Sequence, residues 1–161
     1  MEVTRWEQGR AEIDQLLNQG RLERVSPNRD HAIALIEQAH KAILSAELLA
    51  GTDDTITAFL AAYDAARKAL TAVLANQGLR PTGGEGGHAV LREAVLAQLE
   101  PPPRKDLRAF GWMRQVRNNS AYPDPERKTA TPEELKDAIT AAKAIITVAE
   151  AVIPVMPVYG Q

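Results

Sequence analysis

Glycine and proline divide this chain into segments whose apolar residues recur every three or four positions. This spacing places the apolar side chains on one face of an α-helix, which is buried against neighbouring helices. Val and Ile do not form the alternating runs that are typical of strands, and aromatic residues make up only 4% of the chain. The connections are short, which favours antiparallel neighbours. The sequence therefore predicts an all-α fold, an antiparallel up-and-down bundle of five to six helices.

Caps and helix breakers predict where the helices lie. The expected ranges are 4–19, 27–50, 53–76, 88–99, 104–120 and 131–153. The side chains expected on the buried face of the second helix are Ile33, Ile36, Ile43 and Leu44. Those expected on the buried face of the third helix are Ile56, Phe59, Tyr63, Ala66, Leu70 and Val73. The tail after Pro154 is expected to be loosely held.

Length and composition exclude several classes of protein. At 161 residues the chain is expected to form one domain that spans residues 1–161. It has no cysteine, which excludes disulfides, cysteine-ligated zinc and thiol nucleophiles. The first residues lack the apolar segment of a signal peptide, and no apolar run approaches the ~18 residues of a membrane span. We therefore expect a cytoplasmic protein that does not enter a membrane.

Neither a metal nor a cofactor is expected from the sequence. The three histidines, His31, His40 and His88, are not spaced as metal ligands on one helix. The glycine-rich segment 83–87 lacks the Lys-Ser/Thr pair of a phosphate-binding P-loop, and no strand is predicted before it. This segment is therefore predicted to be a loop between two helices.

Positive charge is concentrated in the segment RKDLRAFGWMRQVRNNSAYP, residues 104–123. The whole chain has a net charge of −2, whereas this segment carries five basic residues and one acid, a net charge of +4. Local positive charge on a near-neutral chain indicates a local anion site rather than a generally basic surface. The residues predicted to contact nucleic acid are Arg108, Arg114, Arg117 and Asn119.

Arg117 is expected to lie close to the apolar face of its helix, because it follows Met113 by four residues. An arginine there is costly unless a partner neutralises it. Three partners stay open: a carboxylate such as Asp64, the same helix of a second subunit, or a bound phosphate. The first would make Arg117 purely structural. Asp64 is also positioned to pair within its own helix, with Arg67 or Lys68.

The end of the basic segment resembles the signature of the HEPN family of helical domains. That signature is an arginine, usually followed by a polar residue such as asparagine, and then a histidine a few positions later at the end of a late helix. The segment 117–122, RNNSAY, matches the arginine, the asparagine and the spacing. Two upstream segments, YDAARKAL and GLRPTGGEGGHAVL, resemble the middle helices and the loop of bacterial members.

The resemblance implies a homodimer in which two such motifs face each other across a cleft. It also implies RNA chemistry, because many members are metal-independent ribonucleases. Several of them act as toxins of toxin–antitoxin pairs, and others pair with a minimal nucleotidyltransferase. By this resemblance Arg117 would hold the scissile phosphate and stabilise its developing charge, and Asn118 would support it. Tyr122 would complete the catalytic set of Arg117, Asn118 and Tyr122.

Tyr122 stands where the family has histidine. A tyrosine has an ordinary pKa of ~10 and a histidine one of ~6.5, so tyrosine is the poorer general base at neutral pH. Its hydroxyl can still bind a phosphate, and its ring can stack on a base. No histidine follows within six residues of Arg117, and His88 is the histidine that could approach from the glycine-rich segment. Two functions stay open: RNA or nucleotide binding in a dimer cleft, with or without metal-independent endoribonuclease activity, or a non-catalytic role as partner of a nucleotidyltransferase. In the second, Tyr122 would be a candidate acceptor hydroxyl.

Overall fold

The structure, a computed structural model, describes residues 5–84, 86–99 and 105–160. Its elements in chain order are α1 (Arg10–Asn18), β1 (Leu22–Arg24), α2 (Arg29–Ala50), α3 (Thr55–Gln77), β2 (Leu79–Pro81), α4 (Gly86–Leu99), α5 (Lys105–Ala121) and α6 (Pro132–Val152). Six helices and one two-stranded sheet within these ranges confirm the predicted all-α fold. None of these helices has both the length and the apolar content that crossing a membrane requires.

α3 lies at the centre of the bundle and packs against α2, α4, α5 and α6. It is buried on several sides, as expected of a helix that is apolar nearly all round. Small alanines occupy much of this surface, so neighbouring helices can approach it closely. Of the face predicted for this helix, five members are buried and Ile56 is partly exposed. The buried five are Phe59, Tyr63, Ala66, Leu70 and Val73.

The face predicted for α2 is wrong at two positions. Ile33 is 48% exposed and Leu44 is 62% exposed. The buried side chains are Ala32, Leu35, Ile36, Ala39, Ile43 and Ala46. They share one side of the helix, and the alanines among them fit where the helix packs against α3. The prediction failed because it followed the larger side chains and passed over alanine.

Local capping sets the helix limits. α6 begins with a complete capping box, in which Thr131 Oγ1 accepts from Glu134 N and Glu134 Oε1 accepts from Thr131 N, each at 3.1 Å. α2 begins two residues later than predicted, because Asn28 caps it by accepting a hydrogen bond from His31 N at 2.9 Å. The other limits lie within two residues of prediction, except that α1 begins at Arg10.

β1 and β2 form an antiparallel pair that the sequence did not predict. Leu22 pairs with Pro81 and Arg24 pairs with Leu79, so the pair joins the α1–α2 connection to the α3–α4 connection. Each strand has only three residues, which is too few to show a recognisable alternation of apolar and polar positions.

The C-terminal tail is packed against the bundle, so the expectation of a loosely held tail was wrong. Met156 and Tyr159 are only 3% and 5% exposed. The side-chain amide of Asn76 donates to the carbonyl oxygens of Ile153, at 3.1 Å, and Met156, at 3.3 Å. The Tyr159 hydroxyl donates to the carboxylate of Asp14. Burial, together with this bond, raises the pKa of Tyr159 to about 12.

The glycines that end α2 and α3 should respond differently to alanine. Gly78 has a φ of +80°, and a Cβ there would lie 2.8 Å from the carbonyl oxygen of Val25. Gly78→Ala should therefore lower the free energy of unfolding by more than ~1 kcal/mol in urea denaturation. Gly51 has a φ of −80°, and its nearest neighbouring atom would be 3.5 Å from a Cβ. Gly51→Ala, the matched control, should leave stability unchanged or raise it by up to ~1 kcal/mol. Equal losses would contradict this account.

Candidate functional site

α5 carries Arg117 on its inward face, as the helical spacing predicts. Leu107, Phe110 and Met113 are buried on this face, and Arg117 follows Met113 by one helical turn. Arg117 itself is half-buried. The helix therefore holds a guanidinium at the boundary between the core and the surface.

The guanidinium of Arg117 lies over two tyrosine rings. Its central carbon is 5.7 Å from the ring centroid of Tyr63 and 5.9 Å from that of Tyr122, which are cation–π distances. Its Nη1 donates to Oδ1 of Asn118 at 3.0 Å. Tyr63 is 2% exposed, whereas Tyr122, just after the end of α5, is 62% exposed. The cation thus connects a buried ring with one that is open to solvent.

Tyr63 brings a histidine to this group. Its hydroxyl is 2.7 Å from Nδ1 of His88, and the donor of this hydrogen bond depends on the tautomer of the imidazole. The ring of Tyr63 is stacked on Phe110, with centroids 5.0 Å apart and planes 13° apart. Three helices therefore meet at Tyr63: α3 carries it, α4 supplies His88, and α5 supplies Phe110 and Arg117.

Asp64, the carboxylate suggested as a partner of Arg117, pairs within its own helix. Its two oxygens are 2.7 Å from Arg67 Nη2 and 2.9 Å from Lys68 Nζ, so the local pairing that the sequence predicts is confirmed. Burial raises the pKa of the Asp64 carboxyl, but the hydrogen bonds and charges of Lys68 and Arg67 outweigh it, and the net pKa is lowered. Asp64 is therefore ionised and already neutralised at neutral pH.

The other predicted site residues fall into two groups. Arg114, Asn118 and Asn119 line one recess on the side of α5, here called the flank recess. Its lining residues are Gly111, Arg114, Gln115, Asn118, Asn119 and Arg127, and its volume is about 460 Å³. Arg108 is exposed and precedes Arg117 by about two and a half turns, which places it on the opposite side of α5. Arg108 is therefore not brought together with Arg117.

Sequence reasoning missed the roles of Tyr63 and Arg127 at this site. It raised His88 as a histidine that could approach from the glycine-rich segment, but it could not place it. Tyr63 was assigned correctly to the core, and its buried hydroxyl was a signal that a polar partner must lie nearby. No local spacing could identify that partner, because His88 lies 25 residues further along the chain. Arg127 lies in the connection after α5, where no periodic pattern predicts which way a side chain points.

The arrangement is suited to binding an anion beside a flat ring. A guanidinium presents planar N–H donors that match phosphate oxygens, and an exposed tyrosine ring can stack on a base. An imidazole is present one hydrogen bond away, through Tyr63. Within the described ranges, no group of three or more histidine, aspartate or glutamate side chains is placed to hold a metal ion.

Comparison with known protein families gives one match. The family model described as HEPN domain matches residues 32–152, from the first turn of α2 to the last residue of α6. This match includes Tyr63, His88, Arg117 and Tyr122. No significant match to the chain is found among curated proteins or among solved structures.

Substitutions of Tyr63 should separate its hydroxyl from its ring. Tyr63→Phe keeps the stack on Phe110 but removes the hydrogen bond to His88, so the free energy of unfolding should fall by about 1–2 kcal/mol. The ring-nitrogen resonances of His88 in NMR spectra should also shift. Tyr63→Leu also removes the ring under Arg117, so its free energy of unfolding should be about 1–2 kcal/mol lower than that of Tyr63→Phe. Equal stability of the two variants in urea denaturation would show that the ring contacts contribute nothing measurable.

Proposed function

Because this chain belongs to the HEPN domain family, we propose that it binds RNA or a nucleotide at the surface formed by Arg117, Asn118 and Tyr122. Members of this family are often related to nucleotide or RNA chemistry. The observation that carries the proposal is the position of the Arg117 guanidinium over the buried ring of Tyr63 and the exposed ring of Tyr122. A phosphate would bind the cation, and the neighbouring base would stack on Tyr122.

The local electrostatics support this choice of ligand. Arg117 lies partly out of water and over aromatic rings, where a bound phosphate interacts more strongly with it than at an exposed site. Asn118 holds the guanidinium in place at 3.0 Å, so less side-chain freedom is lost when a ligand binds. Asp64, which follows Tyr63 on α3, is paired with Arg67 and Lys68. Its negative charge is therefore neutralised and does not repel a phosphate bound at Arg117.

We further propose that the site lies in a cleft between two copies of the chain. HEPN domains often dimerise, and a two-fold arrangement would bring two copies of Arg117 to one RNA strand. Two guanidiniums would then share the charge of one phosphate or hold neighbouring phosphates.

The same arrangement supports metal-independent cleavage of RNA. In that reaction the 2′-oxygen bonds to the adjacent phosphorus and the bond from phosphorus to the 5′-oxygen breaks. A base accepts the proton of the 2′-hydroxyl, and the leaving 5′-oxygen takes a proton from water. Arg117 would stabilise the charge on the phosphate oxygens. His88, linked to the site through Tyr63 at 2.7 Å, would supply the imidazole that the motif lacks at Tyr122. The products would be a 2′,3′-cyclic phosphate and a 5′-hydroxyl.

Arg117→Gln tests the binding site. It should weaken the binding of single-stranded RNA by about tenfold or more, since the variant cannot form the charge-assisted hydrogen bonds to phosphate, while circular dichroism shows the helices intact. Fluorescence anisotropy with a labelled oligonucleotide gives the affinities. Arg80→Gln is the matched control, because Arg80 is exposed and pairs with Glu23 in the β1–β2 sheet. His88→Ala should leave RNA affinity within about threefold in the same anisotropy assay. It should suppress the cyclic phosphate product when the incubated RNA is analysed for cleavage. Unchanged affinity in a folded Arg117→Gln protein would rule out this site.

The exposure of Tyr122 favours a second function, as the partner and target of a nucleotidyltransferase. Its ring is 62% exposed at the end of α5, so a second enzyme can reach the hydroxyl. The phenolic oxygen would bond to the α-phosphorus of a nucleoside triphosphate, pyrophosphate would leave, and the phenolic proton would pass to a base of the transferase.

Mass spectrometry would test this modification. Incubation with ATP and a purified minimal nucleotidyltransferase should add one nucleoside monophosphate to the intact protein. Tyr122→Phe should abolish the added mass, because it removes only the acceptor oxygen and keeps the ring. Retention of the added mass in this variant would exclude Tyr122 as the acceptor.

A further inference from the structure

The flank recess has the charge and size of a ligand site. Its volume of about 460 Å³ lies within the usual range for small-molecule sites. Two arginines, Arg114 and Arg127, line it together with three side-chain amides, and among the residues that the structure describes no carboxylate lines it. A recess with this lining favours an anion with further hydrogen-bonding groups around it.

Arg92 of α4 brings a third guanidinium against Gly111, one of the residues that line the recess. A Cβ on Gly111 would lie 3.1 Å from Nε of Arg92 and 3.4 Å from its guanidinium carbon, so this group lies directly against the glycine. Its Nε is buried and has no acceptor within the described part of the chain. A buried donor without an acceptor costs free energy, and an anion beside it would reduce that cost.

Hydrogen bonds in the α5–α6 connection fix the backbone of Arg127. Asp124 accepts from Glu126 N at 2.8 Å through its carboxylate, and from Arg127 N at 3.0 Å through its carbonyl oxygen. The buried hydroxyl oxygen of Ser120 accepts from Ala130 N at 2.9 Å. Because this backbone is held before a ligand arrives, binding loses less conformational freedom.

We infer that the flank recess binds the phosphate next to the one that Arg117 holds, on the same strand of RNA. This inference rests on the proposed function. Asn118 joins the two places, since its Oδ1 accepts from Arg117 at 3.0 Å and the residue also lines the recess. Guanidiniums match phosphate oxygens in pairs, and the amides of Gln115 and Asn119 can bind sugar hydroxyls or base edges. The strand would run from Tyr122, past Asn118, into the recess.

The recess variants should affect long RNA more than short RNA. Arg127→Gln and Arg92→Gln should each weaken the binding of an oligouridylate of about ten nucleotides by roughly tenfold. The slope of log affinity against log salt concentration should become shallower by ~0.7 for each phosphate that the variant no longer neutralises. The dinucleotide UpU has one phosphate, which the Arg117 site takes, so its affinity in NMR titrations should change by less than about twofold.

Two further variants separate a specific contact from general charge. Lys128→Gln removes the same charge one residue from Arg127, but Lys128 is exposed and does not line the recess. The slope of log affinity against log salt concentration for Lys128→Gln should match that of the wild type. Gly111→Ala changes no charge and favours the helix, but its Cβ would lie 3.1 Å from Nε of Arg92, so this guanidinium must shift by a few tenths of an ångström. It should weaken oligomer binding by about threefold.

Each result supports or overturns the inference. If Arg127→Gln and Arg92→Gln bind the oligomer with wild-type affinity while Arg117→Gln binds it more weakly, the recess inference is overturned and the proposed site stands. Wild-type affinity in these three variants would overturn the recess inference and the proposed site together. An equal decrease in Lys128→Gln and Arg127→Gln would mean that diffuse charge, not the recess, attracts RNA. If Arg127→Gln and Arg92→Gln weaken the binding of uridine 5′-monophosphate as much as that of the oligomer, the recess takes a free nucleotide instead of a strand.

Discussion

The burial of Tyr63 within α3 is the constraint on which the rest of the site depends. α3 has neighbours on several sides, and Tyr63 is 2% exposed, so its hydroxyl needs a partner inside the protein. His88 provides that partner at 2.7 Å. The ring in turn stacks on Phe110 and lies under the guanidinium of Arg117. One buried tyrosine therefore sets the relative positions of α3, α4 and α5, and it places the imidazole and the guanidinium around the same ring.

Paired amides at the end of α3 fix α4, which carries His88. Gln77 and Gln98 donate to each other at 2.6 and 3.0 Å in the buried interior. Each amide satisfies the hydrogen-bonding groups of the other. A buried amide that loses its partner lowers the free energy of unfolding by about 1–3 kcal/mol. The neighbouring Asn76 holds the C-terminal segment by donating from its side-chain amide to two backbone carbonyl oxygens, those of Ile153 and Met156. The C-terminal end of α4 is thus tied to the central helix through Gln98, and its N-terminal end through the contact of His88 with Tyr63.

The proposed chemistry is divided between two helices. In the HEPN signature the arginine and the histidine follow one another on one helix, whereas here Tyr122 follows Arg117 and the imidazole belongs to α4. Binding and proton transfer would then depend on different elements.

Positive charge is distributed unevenly over the chain. The chain has a net charge of −2, and ions such as Asp64 and Lys68 pair locally, so the guanidiniums around α5 are a local concentration of positive charge.

The amino-acid pattern by itself determined the helical fold, most helix limits and the inward position of Arg117, because each follows from local spacing and capping. It misassigned Ile33 and Leu44, since periodicity alone does not show which side of α2 faces the alanines of α3. It did not reveal the β1–β2 pair or the buried tail. Only the tertiary structure decided that His88 meets Tyr63, that Arg127 lines the flank recess and that Arg92 packs against Gly111 of that recess. These contacts join distant parts of the chain, and their geometry depends on how whole helices pack, which local sequence does not encode.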